Sequence, residues 1–199
     1  MSDVQTVAPT TLALTVQEAK RQLNLSTTDD DVLLEGQIKA ATLLLENRCN
    51  RCFVNQTRAL KMRTFLDSRY VHDRAIQPPR SPLNSTGLSI AYVATDGTTT
   101  TLASSDYRVG TGDFPGNISE EYGATWPNTR NVMNDVTVTY IAGHSTAATG
   151  IPWHIKQAIG MVVAHWYRNR EAVFTGSITK EIELGVDALL EGERVERYA

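Results

Sequence analysis

Two stretches of this chain, about a hundred residues apart, repeat one apolar spacing. Leu34, Ile38, Ala41, Leu45 and Cys49 fall at offsets 0, 4, 7, 11 and 15, and Ile151, Ile155, Ala158, Val162 and Trp166 fall at the same offsets. At about 100° per residue such a series gathers into one stripe, of the width that a core-facing helix needs. Two helices of equal length with equal stripes are natural packing partners. The spacing therefore predicts that they pair across everything between them. The second stretch opens with Pro152 at a first-turn position, where a missing N–H costs nothing. At about 1.5 Å per residue it runs roughly 30 Å to Glu171. Its other side carries Trp153, Gly160, Ala164 and Tyr167, small residues between aromatics. That predicts a second packing face, as in a central strut or a helix at a subunit boundary.

Composition narrows what such a frame does. The 199 residues are long enough for one sizeable core, and a net charge of −3 argues against coating nucleic acid by charge alone. No apolar run approaches the ~20 residues of a membrane span. The N-terminus MSDVQTVAPTTLALT lacks the basic start and long apolar region of a signal peptide. The expectation is a chain kept in a cytosol, with its two cysteines reduced. Charge is uneven: eight basic residues against two acidic lie between Arg48 and Arg80, and six acidic against three basic between Lys180 and Ala199. The two regions are expected to be solvated faces or to attract each other, within one chain or between neighbours.

In chain order, residues 1–13 are polar and without period, and read as a flexible arm. Thr15-Val16-Gln17-Glu18 is a capping box opening a short helix that ends near Leu25. Asp29-Asp30-Asp31 heads the next helix, its carboxylates favoured by the helix dipole. Thr57–Phe65 reads as a strand, and Gln77–Pro82, with three prolines, as an extended rim. Leu88–Val93 and Thr98–Leu102 flank Asp96-Gly97, a hairpin signal. Tyr107–Val109 is a short strand, Gly110–Asn134 a loop, and Val136–Ile141 alternates as a half-buried strand should. Phe174–Lys180 is a loop, and Leu184–Glu196 a short amphipathic helix ending in a loose tail. The predicted class is α+β: a helical frame of two N-terminal and two C-terminal helices with an inserted antiparallel β region. Its parts are residues 1–55 (arm and first helices), 56–143 (β-rich insertion) and 144–199 (last helices and tail).

Catalytic constellations are absent from the pattern. Cys49-Asn50-Arg51-Cys52 sits at a helix end, where the dipole disfavours a thiolate, and no second ligand pair for zinc accompanies it. Cys49 also occupies the apolar stripe, so a buried structural thiol is expected. Asp29–Asp31 are better helix caps than cation ligands, although a metal-dependent enzyme using them with His72 or His144 is the second reading. His154 and His165 lie about 16 Å apart along one helix and cannot ligate one ion. A third reading is a partner-binding module presenting the Asp96-Gly97 hairpin and the Trp126 loop. No cofactor, metal or catalytic residue is assigned. The helix end His165–Glu171 mixes aromatics with charge, with Arg170 placed to stack on Trp166.

An ordered series of segments resembles the tailed-phage head–tail connector proteins, also called adaptor or head-completion proteins. Its carriers are Leu14–Leu23 followed by Asp29–Asp31, Leu45-Glu46-Asn47-Arg48, Pro79-Arg80-Ser81-Pro82 leading into Ser89-Ile90-Ala91-Tyr92, Trp126-Pro127, Val136–Gly143, Ile151-Pro152 with Ile155–Ile159, and Trp166–Glu171. The resemblance implies a non-enzymatic virion protein of the neck, made in the host cytoplasm and assembled as a homo-oligomeric ring, usually of twelve subunits, beneath the portal protein. Genomic DNA would pass through the ring without sequence-specific binding, and a tail-side neck or tail-completion protein would dock below. The C-terminal segment would reach the portal, which puts Leu184, Leu189, Leu190, Arg194, Arg197 and Tyr198 at that contact. Trp153, Gly160, Ala164, Tyr167, Arg168, Arg170 and Glu171 would face the neighbouring subunit.

Overall fold

The computed structural model describes residues 3–113, 115–169 and 180–195, with backbone alone at 180–182. The chain forms two compact units, one of residues 10–54 and 144–194, the other of residues 1–9, 55–143 and 195–199.

The first unit is helical. Helix α1 (Val16–Leu23) starts at the predicted capping box: the Thr15 hydroxyl accepts from the Glu18 N–H, and the Glu18 carboxylate accepts from the Thr15 N–H. It ends at Asn24, whose left-handed backbone closes the last turn. Helix α2 (Asp31–Cys49) ends the same way at Asn50. Helix α3 (Trp153–Arg168) follows Pro152, and α4 (Lys180–Leu190) runs into a 3-10 turn at Glu191–Glu193. Helices α2 and α3 pack together as their equal stripes predict. Leu34, Ile38, Ala41, Leu45 and Cys49 of α2 and Ile155, Ala158 and Val162 of α3 share one buried cluster, with Ile151 just before α3. Trp166 packs against its margin. Ala19 of α1 and Val186 and Leu190 of α4 complete the cluster.

The second unit is antiparallel β. Strand β1 (Asp3–Val7) pairs with β2 (Gln56–Met62), and β2 pairs in full register with β9 (Val136–Ala142). Strand β9 also takes β5 (Ser89–Val93), which carries β6 (Thr99–Thr101), so the sheet order is β1-β2-β9-β5-β6. On β9, Val136, Val138, Tyr140 and Ala142 are buried and the residues between them half-buried, as its alternation predicts. The β5–β6 hairpin turns at Asp96-Gly97, with Gly97 at φ 90° and the Asp96 carboxylate accepting from the Thr98 N–H. A smaller sheet has the order β3-β4-β8-β7, built from β3 (Val71–His72), β4 (Ala75–Ile76), β7 (Tyr107–Gly110) and β8 (Asn117–Glu120).

Two expectations are corrected, and one hairpin was not foreseen. The arm expected to be flexible is strand β1 over Asp3–Val7: Asp3 pairs with Arg58 at 2.7 Å and accepts from the Tyr140 hydroxyl at 2.8 Å. The stretch Gly110–Asn134 is not all loop, because β8 lies within it and Ile118 pairs with Ile76 in the buried core. Strands β3 and β4 join through Asp73 and Arg74, both at positive φ, a tight turn made without the glycine that would have announced it. The loop expected at Phe174–Lys180 falls mostly outside the described residues.

Of the four points where the chain passes from one unit to the other, those after residues 54 and 143 are flanked by residues fixed to each other within the helical unit. Val54 bridges Ser145, and the His144 N–H donates to the Phe53 carbonyl at 3.0 Å. The buried Glu46 carboxylate accepts from the Phe53 N–H at 2.6 Å. Because the α2–α3 stripe is the centre of this unit, Ile155→Ala should lower the unfolding free energy by about 2–5 kcal/mol. Leu43→Ala, on the solvent side of α2, should change it by no more than about 0.5 kcal/mol. Urea denaturation of the two variants checks the contrast.

Candidate interaction surfaces and the buried charge clamps

The charged residues of the helical unit are largely spent on one another. Lys156 of α3 is only 4% exposed, and its ammonium group reaches the Glu18 carboxylate of α1 at 2.6 Å. Burial pushes the Glu18 carboxyl up, but the hydrogen bonds from Lys156 and Thr15 more than offset it and hold the group below the usual range. Lys156 also stands over the Trp153 ring, 4.8 Å from its centroid. Tyr167 donates its hydroxyl proton to Asp30 at 2.5 Å, and Lys20 pairs with Asp31 at 2.8 Å. The acids at the start of α2 thus tie it to α1 and α3.

At the other end of α2, the basic middle of the sequence meets the acidic tail. Arg48 bridges Glu183 at 3.1 Å and Asp187 at 2.7 Å, and Asp187 also takes Arg194 at 2.7 Å. Arg51, nearly fully buried, pairs with Glu193. The same carboxylate takes the His154 imidazole at 2.8 Å and stands 3.6 Å from that of His144. His144 beside it, with His154 and the Arg51 charge, outweighs burial and holds the Glu193 carboxyl at about 2. Burial lowers the Arg51 guanidinium against the pull of Glu193 in the other direction. Of the eight basic residues, Arg48 and Arg51 meet the acidic tail inside the chain, whereas Arg58, Arg69 and Arg74 pair with Asp3, Asp67 and Glu120 of the β unit.

The sequence-predicted contact residues are dispersed by this packing. Leu184 is 69% exposed on α4, and Arg194 is exposed beside Asp187, but Leu190 is buried and Leu189 packs against the core. Of the residues assigned to a neighbouring subunit, Trp153 is 76% exposed, Arg168 is exposed, and Ala164 and Tyr167 are half-buried. Gly160 is buried with the Gln22 side chain of α1 directly over it. The close approach read there is therefore made by α1 of the same chain, and Gly160 and Leu190 offer no surface to a second molecule. Arg170, Glu171, Arg197 and Tyr198 lie outside the described residues, as does any stacking of Arg170 on Trp166.

Some residues named by the rival readings are engaged within the fold. Asp30 and Asp31 are engaged as described, and among the described residues no three His, Cys, Asp or Glu side chains gather to hold a metal. Cys49 and Cys52 are buried and free, and burial raises the Cys49 thiol, the opposite of what a reactive thiolate needs. Trp126 stacks flat on Phe65 at 4.9 Å, with Tyr92 edge-on to Phe65 at 5.7 Å. Its ring is thus occupied within the β unit. Sequence reasoning missed Glu193 and Lys156. The charge asymmetry announced the first in outline, and the spacing of α3 placed Lys156 beside its apolar stripe without naming a partner.

Residues 13–95 match the model of the phage gp6-like head-tail connector protein family, which bears out the resemblance over that stretch. No curated protein matches the chain. Among solved structures, a chain from the neck of an empty gene transfer agent particle, computed with C6 symmetry, is similar over 100% of this chain and 98% of its own. Its TM-score is 0.78 at 22% identity. A chain from the virion of a native gene transfer agent particle gives 0.77 at 21% identity, and one from the neck of the native particle, computed with C12 symmetry, gives 0.74 at 22%, with the same coverage. The likeness extends through both units.

Replacing Glu193 by Gln leaves Arg51 buried without its counter-charge and should cost about 3 kcal/mol in stability. The depressed Glu193 pKa also fixes a pH window. Its contribution is complete above the ordinary 4.5 and is lost as pH falls toward about 2. Urea denaturation at pH 6 and pH 3 should show wild-type protein losing more stability than Glu193→Gln over that interval.

Proposed function

We propose that this chain is a structural neck protein, a head–tail connector that forms a ring of identical subunits in the virion and joins the portal to the tail. The observation that carries this reading is the end-to-end likeness of the fold to chains of particle necks, together with the connector-family match over residues 13–95. Symmetric necks, one of them computed with C12 symmetry, support a ring of twelve subunits. The ring lengthens the DNA channel, and the chain's net charge of −3 suits a passage through which DNA slides rather than one that grips it. The role is non-enzymatic.

Within this reading, Trp153, Ala164, Tyr167 and Arg168 face the adjoining subunit, with Arg170 and Glu171 following them. Leu184 and Arg194, with Arg197 and Tyr198 beyond them, meet the portal. The β unit offers the surface to the tail-side neck or tail-completion protein.

The packing of α4 dictates how the portal contact is tested. Removing residues 184–199 takes away Val186, Leu190 and Glu193, and should therefore destabilise the helical unit rather than merely silence a tail. A chain ending at Val195 and carrying Leu184→Glu keeps all three. It should melt within a few degrees of wild type, yet bind purified portal at least tenfold more weakly. Unchanged portal affinity would reject the assignment of this end. Imaging of particles assembled with a labelled copy tests the function itself: label anywhere but the neck would sink the connector reading.

A further inference from the structure

Helix α2 carries a second apolar stripe that is exposed among the described residues. Val32, Leu33, Gly36, Ala40, Leu43 and Leu44 fall within about 120° on the side opposite the buried stripe. All are exposed, Val32 by 84% and Leu43 by 59%. A helix apolar on both sides is one that ends up buried on both sides. The apolar surface left open is on the order of 400 Å², the size at which such patches mark interaction sites. It suits the apolar centre of an interface burying roughly 800 Å² per partner.

The stripe has a shape as well as a chemistry. At Gly36 an added Cβ would meet nothing within 4 Å. With the small Ala40 one turn on, it makes a notch bordered by Leu33, Leu43 and Leu44. The same unit presents a matching knob. Trp153 projects from the first turn of α3, and its ring is held on one face by Lys156, which Glu18 holds in turn. A large aromatic fixed before it binds loses little freedom on docking, which is the character of an interface anchor. A ring closed by head-to-tail contacts requires two different patches on each subunit, one to give and one to receive.

We infer that the outer face of α2 is the receiving half of the subunit contact, and that its occupant is a second copy of this chain whose Trp153 seats in the Gly36–Ala40 notch. This rests on the ring reading above and adds to it the surface against which Trp153 packs.

The test uses the full chain, alone at high concentration and on purified portal, with ring formation read by mass photometry. Gly36→Leu fills the notch while improving helix propensity, so its melting temperature should match or exceed that of wild type. Trp153→Ala removes an exposed ring. Both variants should fold, and both should lower the ring population at least tenfold. Mixing Trp153→Cys with Ala40→Cys protein under mild oxidation should give the mixed disulfide between copies. Rings at wild-type concentration in both variants overturn the contact and leave the connector reading standing. So does an Ala40→Cys protein that cross-links to itself in preference to Trp153→Cys. Wild-type chain that forms no ring under either condition rejects the connector reading, and this contact with it.

Discussion

The facing stripes of α2 and α3 are the contact on which the helical unit depends. Each large apolar side chain buried there contributes about 1.5–3 kcal/mol relative to exposure. The two helices come from opposite sides of a long β-rich segment, so the unit exists only once the chain has returned from it. The return is fixed at one place, where Phe53 and Val54 meet His144 and Ser145. Strands β2 and β9, which lead away from that place, are full-length partners in the larger sheet.

Apolar burial has little directional preference, and the charge clamps supply what it lacks. Lys156 with Glu18 sets α1 on α3, Arg48 with Glu183 and Asp187 sets α4 on α2, and Arg51 with Glu193 fixes the turn after α4. Buried pairs of this kind contribute little net energy compared with an apolar replacement, but breaking one is costly. Their effect here is to give each closing element one seat. They also remove from circulation the charges that the sequence seemed to offer to neighbours. The large apolar side chains left exposed on this unit lie chiefly on α2, with Trp153 on α3 and Leu184 on α4.

That distribution suits a subunit of a permanent assembly. Contacts made by a fixed aromatic and a shaped apolar face depend little on salt, whereas exposed ion pairs are screened by it. The β unit is built differently, with its aromatic cluster of Phe65, Tyr92 and Trp126 turned on itself.

The sequence by itself determined the elements whose signals are local. The capping box at Thr15, the two equal stripes, the Asp96-Gly97 turn and the alternation of β9 each rest on residues within a few turns or pleats of one another, and each stands where its pattern put it. The charge asymmetry left two readings open, solvated faces or mutual attraction, and the positions of Arg48 and Arg51 decided it for those two residues. Only the tertiary structure decided what depends on residues distant in sequence. Strand β1 is polar and becomes a strand because β2 offers an edge and Arg58 and Tyr140 hold Asp3. Strand β8 has one inward side chain, too few for a period. The sequence places the second face of α3 around Trp153, Gly160, Ala164 and Tyr167; α1 covers it at Gly160 while Trp153 stays exposed, and a further exposed apolar stripe lies on α2. Periodicity shows that a helix is apolar on two sides; which side its own chain covers is settled by where the other helices pack.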